Sequence, residues 1–271
     1  MPVILEASGL NKRFGAVVAA ADVSACVEKD SVVGLIGTNG AGKTTFVNMI
    51  TGYLKPDSGT IAFKGSDITR LPPREITRRG ICRSFQIPQL YNTLTVRENL
   101  GVGLGIVLRN SRKSLFGYRS AEVPGHGLGI REAADAMLER FGLARDRDRL
   151  AAVLPEGVRK LLDIAMALVV KPEILLLDEP TSGVSSDEKF EIMDRVMQAV
   201  RADGVTVLFV EHDMDIIARY AHRVMAFYEG RVLADGPAGA VLADEEVQRH
   251  VIGGKRAPGP LRQAEAIDAR D

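Results

Sequence analysis

Three apolar runs stand out from an otherwise mixed chain: Ser31-Val32-Val33-Gly34-Leu35-Ile36, Ile174-Leu175-Leu176-Leu177 and Val205-Thr206-Val207-Leu208-Phe209-Val210. Runs without polar alternation suit parallel strands buried on both faces. Residues 3–28 and 60–65 alternate instead, which predicts short strands of a small antiparallel sheet. Arg223 to Leu233 reads as a hairpin turning at Glu229-Gly230. Between Gln86 and Lys160 the spacing becomes helical, in TVRENLGVGLGIVL and REAADAMLERFGL, and LLDIAMALVV continues it. FVNMITG, after the first run, is helical too. The expectation is an α/β domain over 1–254 with a helical part at about 87–165. The Pro-, Ala- and charge-rich residues 255–271 read as a flexible tail. The polar, basic, glycine-containing segment 109–129 reads as a solvated loop, with contact to lipid headgroups or a permease left as the alternative.

Composition narrows the class. Of 271 residues, 46% are apolar and 26% charged, and Lys+Arg and Asp+Glu balance at 35 each. That balance argues against a nucleic-acid partner, which calls for a basic face. No apolar run reaches the ~18 residues of a membrane span. The start, MPVILEASGL, lacks the features of a secretory signal. Cys26 and Cys82 lie in apolar surroundings and read as small buried side chains in a reducing compartment. His126, His222 and His250 read as surface histidines, and no Cys/His spacing suggests a metal site.

The first run ends in Gly37-Thr38-Asn39-Gly40-Ala41-Gly42-Lys43-Thr44-Thr45, just before FVNMITG. Strand, glycine-rich loop and helix in that order, with the full GxxxxGKT spacing, make a phosphate-binding loop. The glycines let several N–H groups converge on one phosphate cluster, and the helix N-terminus adds partial positive charge. Lys43 is placed to reach the β- and γ-phosphates of a nucleotide, and the Thr44 hydroxyl to ligate Mg²⁺.

The second run ends at Asp178-Glu179-Pro180 and the third at Glu211-His212-Asp213. In open parallel sheets, ligands sit beyond the carboxyl ends of the strands. Asp178 there is a second candidate Mg²⁺ ligand. Glu179 is a candidate general base for a water attacking the γ-phosphate, a role worth about 10²–10⁴ in rate. His212 falls on the same edge. Gln86, in CRSFQIPQL, carries no signal of its own.

Together these residues resemble an ATP-binding cassette (ABC) ATPase over about residues 3–254. Walker A is GTNGAGKTT, Walker B is ILLLDEP, and the switch histidine is His212 in FVEHDMD. The resemblance implies a RecA-like P-loop NTPase core with a small antiparallel β subdomain and a helical subdomain. It makes Gln86 the Q-loop residue touching Mg²⁺ and a transmembrane partner, and Phe14 the aromatic that stacks on adenine. It further implies MgATP, a second ATPase subunit, two permeases, an external solute-binding protein, and a place on the cytoplasmic face of the plasma membrane.

Leu154-Pro155-Glu156-Gly157-Val158 stands where the family signature LSGGQ opens a helix that caps the γ-phosphate bound by the other subunit. Leu154 and Gly157 match; Pro155, Glu156 and Val158 depart. Pro suits a first helical turn, but the hydroxyl is lost and a carboxylate is added. Ser182-Gly183-Val184-Ser185 stands where the D-loop SxLD is usual, without its Asp. A Leu-Pro-x-Gly signature, GICRSFQ, LTVRENL and the ending EEVQRHVIGG resemble the ATPase subunits of branched-chain amino acid importers and their urea or amide relatives. The resemblance implies that such subunits usually pair with a different ATPase, with a homodimer as the alternative. That leaves two alternatives open: an asymmetric pair in which the LPEGV site hydrolyses poorly, or a pair with two working sites. A soluble non-transport ABC ATPase and a weakly catalytic regulatory subunit are the readings from other classes.

Overall fold

The computed structural model describes residues 2–84, 88–110 and 122–253. Gln86, residues 111–121 of the basic segment, and the tail 255–271 lie outside them. In chain order the strands are β1 (Val3–Phe14), β2 (Val17–Glu28), β3 (Val32–Gly37), β4 (Ser58–Phe63), β5 (Ser66–Asp67), β6 (Ile81–Arg83), β7 (Ile174–Asp178), β8 (Thr206–Val210), β9 (Arg223–Tyr228) and β10 (Arg231–Pro237). The helices are α1 (Lys43–Ile50), α2 (Pro73–Arg78), α3 (Val96–Asn110), α4 (Ile130–Arg140), α5 (Glu156–Leu168), α6 (Ser186–Ala202), α7 (Met214–Tyr220), α8 (Ala238–Ala243) and α9 (Glu245–Val247).

The larger sheet has the order β10-β9-β3-β8-β7-β6. All its pairings are parallel except the β9–β10 hairpin. The three apolar runs are its centre, and alternation reappears once both faces are considered. Val32 and Ile36 of β3, Leu175 and Leu177 of β7, and Val207 and Phe209 of β8 join one core, with the larger helices. Val33, Leu35, Leu176, Leu208 and Val210 join the other, with α1 and the smaller sheet. Each fully buried side chain of this size stabilises the fold by about 1.5–3 kcal/mol. The β9–β10 turn has Glu229 at φ 46° and Gly230 at φ 77°, the twist a tight hairpin requires.

The smaller sheet, β2-β1-β4-β5, is antiparallel. It departs from the short strands expected over 3–28: β1 and β2 are single strands of 12 residues each. The apparent breaks are bulges. Gly9 and Asp22 take φ of 61° and 55°, and the register shifts between Ala7 and Leu10. Side chains fill the gap: Asp22 N–H donates to Asn11 Oδ1 at 2.9 Å, and Gly9 N–H to Ser24 Oγ at 2.9 Å.

In the helical stretch, α3 starts with a capping box. Glu98 accepts from the Thr95 N–H at 2.8 Å while the Glu98 N–H donates to the Thr95 hydroxyl at 3.2 Å. Leu100 and Leu104 of α3 meet Ala133, Ala134, Met137 and Leu138 of α4. No helix among the described residues is long and apolar enough to cross a membrane. Two smaller expectations change. Cys82 is buried, but Cys26 is exposed, on the outward side of β2. His126 is half-buried, and its Nε2 lies 2.8 Å from the Val169 carbonyl.

Candidate active site

The order of the large sheet puts β3 beside β8 and β8 beside β7, so three carboxyl ends converge. Asp178 is opposite Val210, and Val210 is opposite Leu35. A cavity of 130 Å³ opens there, lined by Asn39 through Thr45, Glu179, Val210 and His212. Residues from three distant parts of the sequence thus meet at one sheet edge.

The loop from Gly37 to Gly42 delivers the chain from β3 into α1. Gly42 has φ 107°, and a Cβ there would lie 2.8 Å from the Ala19 carbonyl, so glycine is required. The first hydrogen bond of the helix runs from Phe46 N–H to the Gly42 carbonyl at 2.9 Å. The amides before Phe46 belong to the unsatisfied end of the helix and suit an anion. The Lys43 ammonium donates to the Gly37 carbonyl at 2.6 Å and to that of Thr38 at 3.1 Å. Burial lowers its pKa, against the opposing pull of Glu179 and Asp178. Thr44 is exposed and Thr45 half-buried.

Asp178 closes β7, and its Oδ2 accepts from Arg83 Nη2 at 2.5 Å. The other arm of that guanidinium donates to Asn48 Oδ1 of α1 at 2.6 Å. Arg83 thereby fixes the carboxylate against the helix of the phosphate loop. A hydroxyl such as that of Thr44 and a carboxylate such as that of Asp178 are oxygen donors of the kind that would hold Mg²⁺, with phosphates and water completing its octahedron.

Glu179 follows in a left-handed conformation, φ 48°. Its N–H donates to the Val210 carbonyl at 3.0 Å. His212 Nε2 donates to Glu179 Oε1 at 3.0 Å. Glu211 sits beneath, 4% exposed. One of its oxygens accepts from the Thr181 N–H at 3.1 Å and hydroxyl at 2.5 Å, the other from the His212 N–H at 3.0 Å. The arrangement offers a cation and amides for phosphate, a carboxylate for a water proton, and an imidazole beside that carboxylate.

Among the described residues, Phe14, the LPEGV segment and the Ser182–Ser185 turn do not line the cavity. Phe14, 51% exposed, ends β1 opposite Val17, with Lys12 Nζ 5.7 Å from its ring centroid. Gln86 is outside the described residues. Leu154 is buried, Pro155 is the N-cap of α5, and Glu156 is the first helical residue, exposed. A Cβ on Gly157 would lie 3.1 Å from Ile192 and 3.8 Å from Val184, so this helix end packs on the Ser182–Ser185 turn. Ser185, standing in the place of the missing Asp, caps α6: its hydroxyl accepts from the Glu188 N–H at 3.4 Å and donates to the Glu188 carboxylate at 2.8 Å.

Sequence reasoning passed over Arg83, Glu211 and Lys160. A signal existed for Lys160: it interrupts the apolar stripe of α5, one turn from Gly157 and Ile164. No local signal marked Arg83 or Glu211, whose side-chain partners Asp178, Asn48 and Thr181 are remote in sequence.

Comparison with known proteins points to one family. Residues 20–182 match the family model described as ABC transporter. The chain is 34% identical over 253 residues to the high-affinity branched-chain amino acid transport ATP-binding protein LivG of Salmonella typhimurium, covering 92% of this chain and 98% of that one. Among solved structures, it resembles the ADP conformation of MJ1267, an ATP-binding cassette of an ABC transporter. The TM-score is 0.78 at 34% identity, over 92% of this chain and 98% of that one. It also resembles a dimeric post-hydrolysis state of the ATP-binding cassette MJ0796 bound to ADP and Pi. There the TM-score is 0.72 at 25% identity, over 87% and 99% of the two chains. With the phosphate loop, the strand-end carboxylates and His212 gathered on one edge of the same fold, the chain belongs to the ABC transporter family, as one of its ATP-binding ATPase subunits.

Proposed function

We propose that this chain hydrolyses ATP for an importer of branched-chain or other hydrophobic amino acids, working on the cytoplasmic face of the plasma membrane. The observation that carries the hydrolytic part is the meeting of Lys43, Glu179 and His212 around one cavity. The solute class rests on the likeness to LivG, whose name states branched-chain amino acid transport. Urea or amides are the second choice within the same class.

In this reading Lys43 and the amides of Gly40 and of Gly42 to Thr45 hold the phosphates, and Phe14 stacks on adenine. Thr44, Asp178 and Gln86 hold Mg²⁺, which when bound offsets charge on the β- and γ-phosphates. Glu179 orients a water and takes its proton as the water oxygen bonds to the γ-phosphorus and the bond to the ADP oxygen breaks. His212 keeps Glu179 aimed and faces the γ-phosphate. Leu154 to Val158 face the nucleotide of a second ATPase subunit, a reading in keeping with a solved relative that is dimeric. Pro155 as N-cap leaves the first amides of α5 free to meet that phosphate, so the altered signature keeps a backbone platform. Closure of the pair then drives two permeases fed by an external solute-binding protein.

The partner is a different chain with an intact signature, and the site built on LPEGV is the slower of the two. The departures at Pro155, Glu156, Val158 and Ser185 favour this asymmetry. Capture of the Glu179→Gln variant from source membranes in ATP tests the whole reading. Two permeases and a second ATPase are expected; a soluble homodimer without membrane protein would leave a non-transport ATPase. Within the recovered complex, equal loss of turnover from blocking either ATPase would refute the asymmetry.

A further inference from the structure

Lys160 lies on α5, just past the signature residues, and only 4% of its surface is exposed. A buried ammonium is costly unless its donors are taken and carboxylates stand near. Two of its three donors are taken, and four carboxylates favour its charge. Its Nζ donates to the Glu179 carbonyl at 2.8 Å and to the Ser182 hydroxyl at 2.8 Å. Burial lowers its pKa, while Glu156, Glu211, Glu179 and Asp163 all favour the charged form. The side chain therefore bridges two elements with different tasks. One is the helix whose first turn carries LPEGV. The other is the turn that carries Glu179.

That turn depends on outside support. Glu179 holds a left-handed φ of 48°, a conformation a non-glycine residue keeps only when its surroundings enforce it. Its N–H is held by Val210 of β8, and its carbonyl by Lys160 and by the Ser182 N–H at 3.1 Å. The peptide groups on both sides of the Glu179 side chain are thus fixed, one by the sheet and one by α5. The same helix comes close to the turn a second time: a Cβ on Gly157 would lie 3.8 Å from Val184.

We propose that Lys160 is a positioning residue that ties α5 to the peptide of Glu179, so that the seating of the LPEGV end against a partner's nucleotide and the aim of this chain's own carboxylate are set together. The inference rests on Glu179 being the base. It makes the two nucleotide sites of a dimer mechanically dependent through a single side chain of this subunit.

Lys160→Met keeps the methylene packing and removes the donors; Lys160→Arg keeps donors and charge. In the assembled transporter, turnover per bound nucleotide should fall about 10- to 100-fold in the Met variant, with KM and ATP affinity unchanged, since displacing a catalytic group by about an ångström costs that much. The Arg variant should recover most of the loss. If the Met chain does not fold, Lys160→Gln, with an amide donor, is read by the same split and should lose less. Wild-type turnover in the Met variant overturns the proposal. So does a loss confined to KM or to the fraction of chains that bind nucleotide, because a purely structural role predicts that pattern. Glu179→Gln, run in parallel, separates the failures. An active Glu179→Gln removes the assignment of the base itself. An inactive Glu179→Gln beside a normal Lys160→Met removes only the role of Lys160.

Discussion

His212 Nε2 donates to Glu179 Oε1 across 3.0 Å, although one residue follows β8 and the other follows β7. The bond exists because β7 and β8 are adjacent and in register, Asp178 opposite Val210. It holds the carboxylate at the cavity edge. Glu179→Gln keeps the shape and removes the proton acceptor. Hydrolysis should fall by about 10²–10⁴ while ATP binding persists. Single-turnover hydrolysis beside equilibrium ATP binding checks this, and lost binding would show that Glu179 serves the nucleotide rather than the water.

Arg83 and Asp178 are a nearly buried ion pair, 9% and 12% exposed at the side chain. Removing the cation leaves a carboxylate without its partner in a poorly solvated place. Arg83→Met should destabilise the apo chain by about 3–5 kcal/mol. Mg²⁺ with ADP, by restoring positive charge at Asp178, should narrow the deficit. Thermal unfolding with and without MgADP tests both parts; an equal deficit in the two conditions would mean Asp178 does not meet the metal.

Glu211 accepts three hydrogen bonds from within the site, two from Thr181 and one from the His212 N–H. Bonds to a charged group are worth about 1.5–3 kcal/mol each. Glu211→Ala should therefore lower stability and also slow hydrolysis, because it releases the backbone of His212. Thr181→Val removes one of those bonds, from the hydroxyl, and should lower stability with a smaller effect on rate. Denaturant midpoints and turnover measured on both variants check the order.

Cys82 and Cys26 should differ sharply in reactivity. Burial pushes the Cys82 thiol up to about 12 from 9.0, whereas Cys26 is exposed. In the native protein a thiol reagent should modify Cys26 alone, and Cys82 only on unfolding. The shift also has a stability consequence. Below pH 9 both states keep the Cys82 proton. Between pH 9 and 12 the unfolded chain loses it while the folded chain retains it, so stability falls as pH rises, by at most about 1.4 kcal/mol per unit. Cys82→Ala should remove that slope, and the stability gap between the two proteins should shrink from pH 8 to pH 11.

The chemistry was legible in the sequence where it is local. The phosphate loop occupies one strand-to-helix turn, and its glycines, Lys43 and Thr44 are consecutive. Asp178, Glu179 and His212 were legible as ends of apolar runs, because a strand buried on both faces shows as an unbroken run that stops at the sheet edge. The smaller sheet was legible only in part. Bulges at Gly9 and Asp22 break the alternation, and a twelve-residue strand then reads as fragments.

Residue identity and spacing alone identify a P-loop ATPase of the ABC class, with its glycine-rich loop motif and the departures in LPEGV and SGVS. These follow from residue identity and short spacing, which need no folding to be read. Packing of the sheet, by contrast, sets β8 between β3 and β7 and so brings His212 to Glu179. It alone paired Arg83 with Asp178, put Glu211 under Thr181, and turned the buried Lys160 toward the Glu179 carbonyl. Each of those contacts joins residues remote in sequence, and satisfying a buried charge depends on which elements pack together, a property no local pattern records.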